Sequence, residues 1–307
     1  MPTKRLYQLN QSPLFKLGSR SKLAKLLGMT PGALRALAAG DGLYKEFEVE
    51  KKSGGKRGVE NPCRPLKLAQ ATLARLLGRI QPPDFLFCPV KRRCYVTNAA
   101  AHRHSRMVQC LDIKKFFPSV SQRRVFWFFA TVMKCPRDVA GLLAQLACYK
   151  GHLPTGSPLS PIMAYFAYYD LWAAIDALCK ARGYTFTVYI DDVTISGTHV
   201  PKSAIWEVQQ MIHGAGLRYH KQKTFVDKPA EITGIILKDG QLLAPFRQHR
   251  KLKDTRAALR AADPVDRKAL KSRLTGVTAQ IGQIERQNLC APQRKGGSTK
   301  IYRLSEV

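Results

Sequence analysis

Apolar residues at Leu23, Leu26 and Leu27 share one helical face, and the spacing resumes at Leu34 and Leu37 beyond Gly28. Thr30 is placed to cap the second stretch and Pro31 to open it, so the pattern predicts a helix–turn–helix. Such a pair either reads DNA or packs against its own domain. Alternation over 44–49 and again around Val59 predicts two strands joined through Ser53-Gly54-Gly55, with Lys51, Lys52, Lys56 and Arg57 projecting at the tip. After Pro65, the positions of Leu66, Leu73, Leu76 and Leu77 predict an amphipathic helix ending near Gly78. The largely apolar run 107–113 (MVQCLDI) and the β-branched, aromatic run 184–190 (YTFTVYI) predict buried strands. The second resumes over 193–196, making a hairpin whose turn is Asp191-Asp192. Between these strands lie apolar helical stretches at 122–148 and 161–181, separated by a Gly/Pro/Ser-rich break at 151–161. Beyond Pro245 the chain changes to Lys, Arg, Ala and Leu with helical spacing at Leu252, Leu259, Leu270 and Leu274, which sets a boundary there.

Composition narrows the class. With 45% hydrophobic residues in 307, the chain has the material for a core and is not a disordered basic tail. No apolar run approaches the roughly 18 residues of a membrane span, and the N-terminus lacks the apolar region of a signal peptide. A soluble, cytoplasmic protein without a membrane partner is expected. The eight cysteines are widely spaced and form no CxxC pair, which predicts reduced thiols rather than a zinc or disulfide framework. The 51 Lys and Arg against 21 Asp and Glu give a formal charge of +30. That charge calls for a polyanion, and nucleic acid is the commonest. It is unevenly spread: residues 1–110 carry net +15, 111–245 net +5 and 246–307 net +10. The least basic segment contains the aspartate pair.

Two adjacent aspartates at a turn repel one another and raise each other's pKa, a cost that a divalent cation removes. Mg²⁺ prefers carboxylate oxygens, keeps some waters and bridges to substrate phosphates. Asp112, closing the neighbouring predicted strand, would complete a site for two Mg²⁺ ions suited to nucleotidyl transfer. The alternative is an exposed turn, where Asp is common.

At these residues the chain resembles the reverse transcriptases. Tyr189-Ile190-Asp191-Asp192 is similar to the family's Y-x-D-D box, 111–120 (LDIKKFFPSV) to the strand before it, and 153–161 (LPTGSPLSP) to the loop shaping its template and nucleotide pocket. The stretch from Lys51-Lys52 through Arg57 to Pro62 and Leu66-Lys67 resembles the fingers hairpin and its following helix. The resemblance implies an α+β right-hand fold: an N-terminal extension and fingers over 1–106, a palm over 107–245 whose antiparallel sheet carries the aspartates, with interleaved fingers helices at about 121–150, and a helical thumb and tail over 246–307. Asn98-Ala99-Ala100-Ala101-His102 resembles the N-A-x-x-H motif of retron enzymes and Ile232-Thr233-Gly234 their V-T-G, with Ile190 and Ile232 standing where those often have Ala and Val.

The same resemblance implies roles for individual residues. Asp112, Asp191 and Asp192 would hold the metal ions, Lys223 would protonate the leaving pyrophosphate, and Phe117 would exclude a ribose 2′-hydroxyl so that dNTPs are preferred. Lys56 and Arg57 would pair with the triphosphate, and Thr155 and Gly156 would line the nucleotide pocket. Arg92, Arg93, Asn98, His102, Arg103, Thr233, Gly234, Arg250 and Lys253 would contact RNA. His102 and His104 lack a carboxylate or cysteine at ligand spacing, so a structural or RNA-contacting role is expected instead of metal binding. By family, the partners would be a structured non-coding RNA serving as template and primer, its RNA–DNA hybrid product, and a separate effector protein in antiphage defence. The rival readings are a group II intron-like or diversity-generating reverse transcriptase, and a non-catalytic nucleic-acid-binding regulator.

Overall fold

The computed structural model describes residues 6–40, 42–50 and 54–289, an α+β architecture. The N-terminal helices form at Arg20–Leu27 and Pro31–Ala39, capped as their sequence dictates: Lys22 N–H donates to Ser19 Oγ and Ala33 N–H to Thr30 Oγ1, each at 3.2 Å. Between them Gly28 takes φ 70°, a left-handed position that suits glycine. Leu23, Ala24 and Leu34 enter the main core, and both helices pack on the helix Arg137–Ala147. The pair is therefore a packing unit of its own chain.

Strands β1 (Tyr44–Glu50) and β2 (Lys56–Pro62) form the expected antiparallel hairpin, with Val49 opposite Arg57 and Phe47 opposite Val59. Lys51, Lys52 and Ser53 lie outside the described residues. The helix Arg64–Leu77 follows, closing at Gly78. A five-stranded sheet is built from β3 (Leu86–Cys88), β4 (Met107–Ile113), β5 (Thr185–Tyr189), β6 (Asp192–Gly197) and β7 (Tyr219–Val226), in the order β3-β5-β6-β4-β7. The sheet is not wholly antiparallel, because β3 runs parallel to β5 at one edge. Side chains alternate across it. Leu111, Ile113, Phe186, Val188, Val193 and Ile195 are buried in the main core, shared with Trp172 and Ile175 of one helix and Ile205 and Val208 of another. The opposite face carries Asp112, Cys110, Asp192, Thr194 and Tyr189.

A third, small sheet comprises β8 (Ala230–Ile232), β9 (Ile235–Lys238) and β10 (Gln241–Leu243). Its first turn, Thr233-Gly234, has both residues at positive φ (46° and 83°), the backbone of a tight hairpin. A second apolar cluster joins this sheet to Val96, Ala99 and Val108 and to Ile284 of the last helix. The helices Phe246–Arg260 and Pro264–Leu289 complete the described chain, and the second is tied down at its end. There Asn288 exchanges hydrogen bonds with the Leu242 backbone at 2.8 and 3.0 Å. Among the described residues no helix is long and apolar enough to cross a membrane, and seven cysteines are unpaired, Cys290 lying outside them.

Candidate active site

The three aspartates meet at one end of the central sheet. Asp112 and Asp192 are directly opposite one another on β4 and β6, a register that leaves Cβ atoms about 5 Å apart. Asp192 also faces Tyr189 on β5, so the hairpin turn consists of Ile190 and Asp191, not of the two aspartates. Asp192 is the first strand residue. Ile190 takes φ 58°, a conformation that a β-branched side chain resists. The turn is held against β4 by the Ile113 N–H, which donates to the Asp191 carbonyl at 2.9 Å.

Burial pushes the Asp191 carboxyl above the usual carboxylate range and the Asp112 charge adds to it, while Arg57 and His220 pull the other way. Burial, then the charges of Asp191 and Asp112, push Asp192 up to about 7 against the pull of Lys223. Burial is the larger cause for both carboxyls. The donors are hard oxygens, and the thiol of Cys110 on the same face is raised by burial to about 11 and stays protonated. Among the described residues no three acidic, His or Cys side chains already form a metal cage. An open set of carboxylates fits an ion that retains waters and takes further ligands from substrate phosphates.

Around the aspartates, β7 supplies cations. Lys221 lies opposite Asp112 and Lys223 opposite Cys110. Between Lys221 and Tyr219 the register shifts, and this bulge brings His220 Nδ1 to 3.6 Å from Asp112 Oδ1. A cavity of about 330 Å³ opens beside Asp112 and Asp192, lined also by Tyr189, Lys223, Glu231, Thr233, Gly234 and Arg247. Thr233 and Gly234, predicted to contact RNA, are thus brought to the aspartates. Phe117 follows β4 in the turn Phe116–Ser119, half-buried and stacked on Phe116 at 6.0 Å.

The β1–β2 hairpin presents Arg57, Phe47 and Val49 on one face and docks by the other. Tyr44 stacks on Tyr149 with centroids 4.2 Å apart, and Glu46 accepts from Tyr149 Oη and Lys150 Nζ at 2.6 and 2.7 Å. Lys56 is engaged with Glu48 at 3.0 Å, while Arg57 of the predicted triphosphate pair acts on Asp191. Thr155 and Gly156 serve the docking. Thr155 Oγ1 donates to the Gly58 carbonyl and accepts from the Glu60 N–H, and Gly156 N–H donates to the Glu60 carbonyl at 3.2 Å. The close approach that requires glycine is to β2: a Cβ at 156 would stand 2.6 Å from the Glu60 carbonyl oxygen and 2.9 Å from Asn61 Cα. Gly156→Ala is accordingly expected to cost about 1–3 kcal/mol and to expose residues 44–62 to limited proteolysis. Unchanged cleavage there would show that the hairpin does not depend on this contact.

Four residues predicted to bind RNA make hydrogen bonds within the chain, two of them fully buried and two, Arg93 and Arg103, half-buried. His102 is fully buried between Ser196 Oγ (2.6 Å from Nδ1) and Thr187 Oγ1 (2.8 Å from Nε2), and burial lowers its pKa to about 3. Asn98 is also fully buried, its Nδ2 donating to Thr233 Oγ1 at 3.4 Å while that hydroxyl donates to the Tyr95 carbonyl. Arg93 donates to the carbonyls of Pro83, Asp84 and Leu86, and Arg103 to Gln287 and Asn288. Arg92, Arg250 and Lys253 are exposed, Arg250 with Asp254 at 4.0 Å. Sequence reasoning missed Glu60 and His220, whose partners His152 and Asp112 are distant in the chain, and Glu231, which pairs with Lys223 and Arg247 only once the small sheet folds beside β7.

The profile of the reverse transcriptase (RNA-dependent DNA polymerase) family matches residues 49–237. Among curated proteins the chain is similar to the Retron Se72 reverse transcriptase of Salmonella heidelberg, at 27% identity over 76% of this chain and 64% of that one. It is 30% identical to the Retron Mx162 reverse transcriptase of Myxococcus xanthus over 73% of this chain and 54% of the relative. With the Retron Ec86 reverse transcriptase of Escherichia coli it shares 29% identity over 75% of each. The match thus spans only about half to two thirds of the length of the first two.

Proposed function

The chain belongs to the reverse transcriptase family, and from that premise we propose that it is an RNA-directed DNA polymerase of the retron type. The observation that carries the catalytic part is the register of Asp112 against Asp192, with Asp191 at the adjoining turn and a cation-lined cavity alongside. Reverse transcriptases in general use divalent metal ions. Here the three carboxylates would hold two Mg²⁺, which when bound lower the pKa of an attacking hydroxyl and stabilise the leaving pyrophosphate.

The protein's own groups do the rest. Arg57 orients the triphosphate with its planar fork. Phe117 stands five residues beyond Asp112, where it closes on the 2′ position of an incoming sugar and selects dNTPs. Lys223, with Glu231 Oε2 at 3.8 Å, protonates the leaving pyrophosphate. The exposed Arg250 and Lys253 of the thumb follow the backbone of the RNA–DNA hybrid. In this reading 1–106 serve as N-terminal extension and fingers, 107–245 as palm and 246–307 as thumb. The template is a structured non-coding RNA, synthesis begins at a guanosine 2′-hydroxyl within it, and a separate effector completes an antiphage system.

Sequencing the nucleic acid that co-purifies with the protein tests this. A branched RNA–DNA species is the expected result. Linear cDNA alone would exclude the retron type, and protein free of DNA and inactive on primed RNA with Mg²⁺ and dNTPs would end the polymerase reading.

A further inference from the structure

We propose that the free edge of β7 and the apolar groove beside it dock an extended segment of another protein, one that alternates apolar with acidic side chains and adds a strand to the five-stranded sheet. β7 ends the order β3-β5-β6-β4-β7, so among the described residues one side of its eight residues has no neighbouring strand. His220 to Thr224 are all exposed. A row of backbone N–H and C=O groups left in this way is a template for a further strand. Between β7 and the helix Lys202–Gly214 lies a cavity of about 710 Å³. Its walls are mostly apolar, formed by Met107, Val200, Ile205, Trp206 and Val226. Trp206 is 61% exposed and Val226 43%, so the groove opens to the surface through its apolar members. The polar groups of its floor bond to one another, Gln209 Nε2 donating to Gln222 at 2.8 Å and Thr224 Oγ1 to Gln109 at 2.6 Å.

The two faces of β7 decide what fits. Gln222, Thr224 and Val226 point to the groove, whereas Lys221 and Lys223 point to the other face, beside the aspartates. A strand paired with β7 sends alternate side chains to the same two faces. Those on the groove side meet Trp206 and Val226, and apolar residues there extend the core by one strand. Those on the other side meet lysines, and acidic residues pair with them. The groove contributes Lys202 and no carboxylate. The acidic neighbours in the chain, Glu207 after Trp206 and Asp227 after Val226, are engaged by Arg182 and Arg106, each at 2.7 Å. A second copy of this chain fits poorly, because pairing β7 with itself sets Lys221 and Lys223 against like charges. The lysines that deter self-pairing therefore favour an acidic partner. A nucleic acid brings phosphates to the lysines but has no ladder of donors and acceptors for the strand edge. The inference does not depend on the polymerase reading.

The test is binding of the full chain to a labelled synthetic peptide of about eight residues in which Glu alternates with Val and Ile. The control has the same composition with its glutamates grouped at one end. In about 0.15 M salt, fluorescence anisotropy is expected to favour the alternating peptide by about tenfold or more, and hydrogen exchange to slow within 219–226 when it is bound. Trp206→Ala is expected to weaken it about tenfold while leaving Mg²⁺-dependent dNTP incorporation unchanged, which keeps this outcome distinct from any failure of the polymerase reading. Should Trp206→Ala fail to fold, Val226→Ala is expected to act in the same direction. Equal binding of the two peptides, protection elsewhere than 219–226, or undiminished affinity in the variant overturns the proposal. Either other occupant does so too: a wild-type dimer that Trp206→Ala dissociates would assign the edge to a second copy, and an oligouridine that displaces the peptide and loses affinity in Trp206→Ala would assign the groove to RNA.

Discussion

Asp192→Asn is expected to lower dNTP incorporation about a thousandfold or more, while raising the melting temperature of the metal-free protein at pH 8. The loss follows from removing a ligand whose metal supplies several kcal/mol to the transition state, at about 1.4 kcal/mol per tenfold. The gain has a definite sign. In the folded chain the Asp192 carboxyl ionises near pH 7, because burial and the neighbouring Asp191 and Asp112 charges disfavour its anion. Unfolded, it ionises near its usual value of 3.8. Stability is therefore lost as pH rises from about 4 to 7, and the loss is complete at pH 8. Asparagine has no such cost, so a rise of about 2 °C or more is expected, vanishing near pH 4. Thermal melts in chelator at both pH values check it. An unaltered melting temperature at pH 8 would mean that the carboxylates are not mutually strained, and activity within tenfold of wild type would remove Asp192 from the metal site.

The trade is built into the place where the aspartates sit, and that place was legible because it depends on local pattern. The run 107–113 has the period and composition of a strand, and β4 occupies those residues. Thr30-Pro31 and Gly78 bound their helices because caps act within one turn of the chain. What the sequence could not convey is which polar residues end up inside. Arg92 and Arg93 are adjacent and chemically identical, yet Arg92 at φ 69° is exposed while Arg93 turns inward onto three carbonyls. Asn98 and His102 look like exposed polar residues until the sheet supplies Thr233, Ser196 and Thr187, from 85 to 135 positions away.

The same limit concealed the charges around the site. Glu60 docks the hairpin through His152, at 3.0 Å and 92 residues distant, and nothing near position 60 announces it. His220 reaches Asp112 only because a bulge adds a residue to β7, a matter of pairing between strands rather than of composition. The parallel strand β3 is three residues long, too short for a period to register. The motifs located the aspartates, whereas the groups that balance them were set by tertiary contacts.

His102 gives the last expected result, and it opposes the first. The ring is neutral in the fold and resists protonation until about pH 3, whereas in the unfolded chain it takes a proton near pH 6.5. A depressed basic group contributes stability that is whole above pH 6.5 and is lost as pH falls toward 3, at about 1.4 kcal/mol per pH unit. Asp192 acts in the other direction over nearly the same interval, growing more favourable as pH falls from 7 to 4. The two slopes offset in the metal-free wild type, so its unfolding midpoint in denaturant is expected to change little between pH 4 and 6.5 on their account. His102→Gln, whose amide can still bridge Ser196 and Thr187 but does not titrate, leaves the Asp192 slope alone and stability then increases on acidification. Asp192→Asn leaves the His102 slope alone and stability decreases. His102→Leu removes the bridge altogether, leaving Thr187 without its ring partner while Ser196 keeps Ser105 at 2.7 Å, and is expected to cost about 2–4 kcal/mol at pH 7.5. Parallel pH profiles for the wild type, His102→Gln and Asp192→Asn would show that neither group is held in its disfavoured state, and would undo both the buried-support role of His102 and the strain assigned to the aspartates.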